Sequence, residues 1–143
     1  MSDERPGERP DYDWVTGRAN CSAFKVFKDL QMQTEANVAQ RNKLRTEGDR
    51  FKFIFEANGN YFVVLAEGHG RLVRFYLEDG GTISITGDGI DVDMTATLTL
   101  TSTGDCRLKV KVKGEVKGEE FLLWQVLRMA LEELFFSEPR KKP

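Results

Sequence analysis

The chain has 143 residues, of which 40% are hydrophobic and 31% charged, and its formal net charge is -2 at pH 7. This length and composition are typical of one globular domain with one core and not of a disordered chain. The near-neutral charge argues against the strongly basic surface of a nucleic-acid binder. The sequence also has no basic amphipathic segment and no run of about 18 apolar residues, so we expect no membrane partner.

The two ends of the chain differ in composition from its middle. Residues 1–12 and 139–143 are rich in charge and proline, which predicts a disordered lead and a disordered tail around a single domain over 13–138. The first residues include no apolar stretch and are not typical of a signal peptide. Cys21 and Cys106 lie far apart and in no CxxC arrangement, which predicts two reduced thiols in a cytoplasmic protein.

The first predicted element is a helix from about Ser22 to Leu44. Asn20 and Ser22 are its candidate N-caps, because a short side-chain oxygen can accept hydrogen bonds from the first backbone amides of a helix. At 100° per residue one narrow stripe of the helix is apolar and the opposite face is polar. The stripe consists of Phe24, Phe27, Leu30, Thr34 and Val38.

From Phe51 onward the hydrophobic period changes to two, which predicts strands separated by glycine-containing turns. These turns lie at Asn58-Gly59, Gly68–Gly70, Asp79–Gly81 and Thr103–Asp105. They predict an antiparallel meander of six strands, with Phe55 opposite Phe62, Phe53 opposite Val64, Leu77 opposite Ile83, Phe75 opposite Ile85, Leu100 opposite Leu108 and Leu98 opposite Val110.

The last predicted element is a long helix from about Glu119 to Ser137, packed on the core face of the sheet. About half of its circumference is apolar, including Leu123 and Trp124. Further apolar residues lie on its polar side, namely Phe121, Leu122, Met129 and Phe136, and such surplus apolar surface is typical of an interface. The predicted fold class is therefore α+β, in the order helix, six-stranded antiparallel meander, helix.

Residues that could support chemistry are few. His69 is the only histidine and lies in a predicted turn, so neither a histidine-based mechanism nor a zinc site is indicated. The segment Gly87–Asp93 resembles one unit of a calcium-binding glycine–aspartate repeat, but a single unit favours an acidic connection between strands. The sequence has no phosphate-binding GxxxxGK[ST] or GxGxxG loop and no GxSxG motif, which holds the nucleophilic serine of α/β-hydrolases. We expect no cofactor, no metal and no enzyme activity.

A basic stripe runs along the last predicted strand. Arg107, Lys109, Lys111 and Lys113 point to one face, opposite Thr95, Thr97, Thr99 and Thr101. A phosphate or an acidic partner could bind such a stripe. A solvent-facing strand whose lysines deter edge-to-edge pairing is the simpler interpretation.

The second face of the sheet is not uniformly polar. The strand phase places six apolar residues on it, near Arg74 and Glu56, and these six are Ile54, Tyr61, Val63, Leu65, Leu72 and Tyr76. An antiparallel sheet with one wet face normally alternates cleanly between apolar and polar residues. We therefore expect a covering layer, which could be the first helix, a second copy of the chain or a ligand.

These features favour a non-enzymatic protein-interaction module that self-associates as a homodimer. The alternative is a small-molecule carrier or sensor whose pocket, between a helix and a curved sheet, is lined by Tyr61, Tyr76, Arg74 and Trp124. A third interpretation, an enzyme that uses carboxylates such as Glu56 and Glu78, has no support from residue spacing.

Overall fold

The computed structural model describes residues 13–45, 52–101, 105–115 and 118–137, and it confirms the α+β class. The expected lead, tail and most of the predicted turn at Thr103–Asp105 lie outside these residues. Helices and strands follow in the order α1 (Trp14–Asn20), α2 (Ala23–Lys43), β1 (Phe53–Asn58), β2 (Tyr61–Ala66), β3 (Arg71–Leu77), β4 (Ile83–Asp88), β5 (Asp93–Leu100), β6 (Cys106–Val112), β7 (Glu119–Phe121) and α3 (Leu123–Phe136).

The strands form one antiparallel sheet in which each strand pairs with the next along the chain, from β1 to β7. The meander is confirmed, with one strand more than predicted. Glu119–Phe121 was predicted as the first turn of the last helix but pairs with β6, with Phe121 opposite Leu108. The helix starts only at Leu123. Leu122 is its N-cap residue, and the Leu122 amide donates a hydrogen bond to Gln125 Oε1 at 2.8 Å.

Both long helices pack on the same face of the sheet, which we call the inner face. Phe62 lies at the centre of the core, with its ring stacked on Phe75 at 4.4 Å between centroids and next to Phe27 of α2 at 5.1 Å. From α3, buried residues such as Leu131 and Leu134 join the same cluster. The sheet and the two long helices therefore form two layers, and α2, the helix predicted from Ser22 to Leu44, does not cover the opposite, outer face of the sheet.

The start of α2 is where the sequence predicts it, and its buried stripe differs from the predicted one at a single position. Ser22 caps the helix by accepting from the Lys25 amide at 3.3 Å. The predicted core residue Phe24 is 61% exposed, and Val26 is buried in its place. The difference lies at the start of the helix, where a narrow apolar stripe determines its edge positions only weakly. The short helix α1, capped by Asp13, was not predicted.

Two hairpins have a register two residues away from the predicted one. Phe55 pairs with Val64 instead of Phe62, and Leu98 pairs with Leu108 instead of Val110. The other predicted pair in each hairpin shifts in the same way. Phe53 pairs with Ala66 instead of Val64, and Leu100 pairs with Cys106 instead of Leu108. A slip of two residues leaves every side chain on its predicted face, so hydrophobicity alone does not exclude it. In the β3–β4 hairpin, Leu77 opposite Ile83 and Phe75 opposite Ile85 are confirmed.

The prediction of two reduced thiols was wrong. Cys21, between α1 and α2, forms a disulfide with Cys106 at the start of β6, with 5.3 Å between the two Cα atoms. Cys106 lies opposite Leu100 and so belongs to the inner face, where the start of α2 passes. The separation of 85 positions between the two cysteines conceals this proximity in the sequence.

Candidate functional site

The outer faces of β1, β2 and β3 present a block of nine side chains in three rows. Strand pairing sets each row, because directly opposite residues project from the same face. The rows are Ile54–Leu65–Leu72, Glu56–Val63–Arg74 and Asn58–Tyr61–Tyr76. We call these nine residues the outer block. Of the eight residues predicted for the interface or ligand face, seven belong to it: Ile54, Tyr61, Val63, Leu65, Leu72, Arg74 and Tyr76.

The outer block is more accessible at one end than in its middle. Tyr61 and Tyr76 lie opposite each other and are 37% and 43% exposed. Val63, in the middle, is only 7% exposed, yet it is not part of the inner core. Neither long helix packs on this face, and Val63 lies between Glu56 and Arg74, its cross-strand partners in the middle row. Six of the nine residues of the block are apolar or aromatic, and the most buried of them is Val63 at its centre.

Two opposite charges flank Val63 on either side of the middle row. Glu56 is the cross-strand partner of Val63 on β1, and Arg74 is its partner on β3. The Arg74 guanidinium lies 3.4 Å from Asp88 of β4, and both side chains are largely accessible. Within the described part of the chain, no ion pair involves Glu56. The two ends of the row therefore differ in sign, and its acidic end has no ion-pair partner among these residues.

The outer faces of β5 and β6 have a different composition. Thr95, Thr97 and Thr99 lie opposite Lys111, Lys109 and Arg107, so threonines and basic residues share this face as predicted, with each partner shifted by the two residues of the register change. Lys109 also lies opposite Glu120 of β7. Such alternation of apolar inward and polar outward residues is what a solvated sheet face shows. The outer face of the sheet therefore has a largely apolar half on β1 to β3 and a polar half, typical of a solvent-exposed surface, on β5 and β6.

Trp124, the eighth predicted residue, lies elsewhere. It belongs to α3 on the inner side of the sheet and is 54% exposed. There it lines a groove of about 520 Å³ between α2 and α3, together with Leu44 and Phe136. Arg41 forms part of this groove, with its guanidinium 5.0 Å from the Phe136 ring centre. The structure does not bring Trp124 together with Tyr61, Tyr76 and Arg74. Leu44 and Arg41 have no sequence signal that would place them in this groove.

The remaining candidates for chemistry are dispersed. His69 lines an open cleft of about 1110 Å³ at the end of α3, where Arg71 donates to the backbone oxygens of Glu133 at 2.9 Å and Ser137 at 3.2 Å. These bonds satisfy carbonyl groups at the helix end, which is a structural role. Glu78 accepts a hydrogen bond from the Ser84 hydroxyl, away from Glu56. No group of three or more potential metal ligands occurs among the described residues.

The acidic segment Gly87–Asp93 connects β4 and β5. Asp88 pairs with Arg74, and Asp93 lies 3.7 Å from the Lys113 ammonium group. Gly87 is required by space, since a Cβ there would lie 2.5 Å from the Ile90 side chain. The carboxylates of Asp88 and Asp93 thus face basic side chains of neighbouring strands, as expected for an acidic connection.

No family model, no curated protein and no solved structure matches this chain. In the ranges that the structure describes, no helix is both long and apolar enough to cross a membrane. Among the described residues, the outer block and the α2–α3 groove are two surfaces at which several apolar side chains lie together.

Proposed function

We propose that this chain is a non-enzymatic protein-interaction module that associates with a second copy of itself through the outer block. The observation that carries the proposal is the position of both long helices on the inner face, so that no helix or strand among the described residues packs over Tyr61, Tyr76 and their apolar neighbours. Contiguous apolar surface of this kind marks interaction sites in folded proteins.

The size of the outer block sets the strength of the association. Three strands about 4.8 Å apart and five residue steps of about 3.3 Å give a footprint of about 240 Å² per copy. Even with the roughness of real surfaces, two copies bury less than the roughly 1,200 Å² of a standard stable interface. We therefore expect a transient dimer with a dissociation constant between about 10 μM and 1 mM.

Sedimentation velocity between about 10 μM and 1 mM tests the proposal. The weight-average sedimentation coefficient is expected to rise from that of a monomer toward that of a dimer over this range. Leu65→Lys places a charge in the outer block and is expected to abolish the rise. Trp124→Lys is the matched control, because Trp124 is a large, accessible apolar residue that lies on the helix side. A wild-type protein that stays monomeric at about 1 mM refutes self-association.

The carrier or sensor alternative has weaker support. Between the helices and the sheet, buried side chains such as Phe62, Leu131 and Val64 fill the space where the ligand would lie. The four residues proposed to line its pocket also lie on both sides of the sheet. The α2–α3 groove with Trp124 is the surface on which this alternative now depends. In the sedimentation assay, loss of self-association in Trp124→Lys with Leu65→Lys unaffected would instead identify this groove as the contact between two copies.

The disulfide bears on where the module works. Disulfides persist in oxidising compartments and are rare in the cytosol, where thiols are kept reduced. The expected cytoplasmic location depended on reduced cysteines, and the bond between Cys21 and Cys106 removes that support. We therefore favour an oxidising compartment. Alkylation of free thiols in freshly lysed cells of the source, before any reductant is added, distinguishes the two locations.

A further inference from the structure

We infer that the two copies stack outer face to outer face, around a two-fold axis that runs parallel to the strands over Val63, so that Glu56 of each copy pairs with Arg74 of the other. This inference rests on the proposed self-association and specifies its geometry. It follows from the order of the middle row, in which one acidic and one basic residue lie on opposite sides of Val63, each one strand away.

The axis parallel to the strands makes the whole block self-complementary. It exchanges β1 with β3 between the copies and leaves β2 facing itself. The apolar row then packs Ile54 against the partner's Leu72, and the third row places the Asn58 amide next to the partner's Tyr76 hydroxyl, with which it can form a hydrogen bond. The β2 residues that meet their own copies are Tyr61, Val63 and Leu65.

The other common orientations of stacked sheets bring like charges or unmatched groups together. A two-fold axis perpendicular to the strands places Glu56 opposite Glu56 and Arg74 opposite Arg74. Orthogonal packing places both charges over the apolar residues of β2. Stacked sheets are either nearly aligned or orthogonal, so these cases cover the common arrangements. Like charges that face each other disfavour an interface strongly, and charge order therefore selects the axis parallel to the strands.

The distances suit this pairing. Packed sheets lie about 10 Å apart, a gap that a glutamate and an arginine side chain can bridge together. Glu56 has no ion pair within the described residues, and Arg74 holds Asp88 at 3.4 Å through one nitrogen of its guanidinium group. The planar guanidinium group of arginine has five N–H donors and can therefore donate hydrogen bonds to two carboxylates at once. Glu56 lies on an edge strand, so its charge stays near water and avoids the full cost of burial.

Charge exchange tests the geometry with three variants: Glu56→Arg, Arg74→Glu and the double variant that combines them. In the inferred arrangement each single variant brings like charges together at two symmetric contacts, so its self-association is expected to weaken about 100-fold or more. A mixture of the two single variants restores both contacts and is expected to form a heterodimer. The double variant is expected to self-associate like the wild type. Thr97→Arg, on the wet half of the outer face, is the matched control and leaves association unchanged.

Sedimentation of each variant and of the mixture, with circular dichroism to verify folding, separates the outcomes. Weak single variants that form a heterodimer on mixing support the inference. Single variants that self-associate like the wild type, or folded single variants that do not associate on mixing, overturn the geometry while the proposed self-association remains. A monomeric wild type overturns both. If Arg74→Glu fails to fold because its new carboxylate faces Asp88, Arg74→Gln replaces it, and the pairing then requires that Glu56→Gln and Arg74→Gln weaken association equally and non-additively.

Discussion

Removal of the disulfide is expected to destabilise the domain by about 2–4 kcal/mol. The bond joins Cys21 to Cys106 across 85 residues, so α2 and the first five strands lie inside the closed loop. For a loop of this length the chain-entropy model gives about 4.6 kcal/mol at 25 °C, and measured effects of native disulfides are usually somewhat smaller. With a urea dependence of about 2 kcal/mol per molar, the unfolding midpoint is expected to fall by about 1–2 M.

The assay compares urea unfolding of the oxidised wild type, the same protein in dithiothreitol, and the double variant C21S/C106S. Reduction and double substitution are expected to lower the midpoint by similar amounts, and dithiothreitol is expected to leave the double variant unchanged. The double substitution avoids a single unpaired thiol that could form intermolecular disulfides. If the midpoints with and without reductant differ by less than about 0.2 M, the cross-link does not hold the domain together and the reasoning fails.

Three further predictions concern the core and its edges. Phe62→Ala is expected to lower the free energy of unfolding by about 3–5 kcal/mol, measured by urea denaturation, because Phe62 is fully buried among other aromatic rings. Asn42→Ala is expected to cost about 1–3 kcal/mol, since the Asn42 side chain both accepts from the Phe53 amide at 2.9 Å and donates to the Phe53 carbonyl at 2.8 Å. An Asn42→Asp protein keeps the acceptor for the Phe53 amide but places a carboxylate oxygen against the Phe53 carbonyl oxygen, so its loss is expected to be at least as large as that of Asn42→Ala; a smaller loss would contradict the assignment. Arg71→Met is expected to cost about 1–3 kcal/mol and to raise amide exchange at the end of α3, because two carbonyl groups there lose their donor, and unchanged exchange would refute this role.

The faces of the strands could be predicted from the sequence because alternation fixes them independently of register. Phe62, Val73 and Ile85 turn inward and Tyr61, Leu72 and Tyr76 turn outward, as the period of two requires. The register of the strands was harder to predict, because a slip of two residues leaves every side chain on the same face of the sheet. The β3–β4 hairpin was correct where Asp79–Gly81 defines the turn, with Gly81 at φ 87. At Asn58-Gly59 the turn begins one residue later than predicted, at Gly59-Asn60.

Other features needed information that no local pattern carries. The disulfide depends on the face of the sheet to which α2 packs and on the register of β6. The sequence left the packing face of α2 open and predicted a β6 register that was two residues away from the observed one. The strand at Glu119–Phe121 is too short for alternation to distinguish from a helix start. Trp124 satisfied the helical period of the core yet projects toward the α2–α3 groove, because the inner face already receives Leu127 and Leu131 from the same helix.

The two halves of the outer face differ in composition, and this difference favours a contact surface on one of them. All seven strands belong to one sheet, and both long helices leave its outer side uncovered, so solvent would favour the same polar composition along the whole face. β5 and β6 meet that expectation with threonines opposite basic residues. β1 to β3 depart from it at six positions, and the two charges within them have opposite signs and lie on opposite sides of the centre, an arrangement that a stack about a two-fold axis parallel to the strands can pair. A face that only tolerated apolar residues would have no reason to place its charges so that two copies complement each other, and the exchange of Glu56 and Arg74 distinguishes these explanations directly.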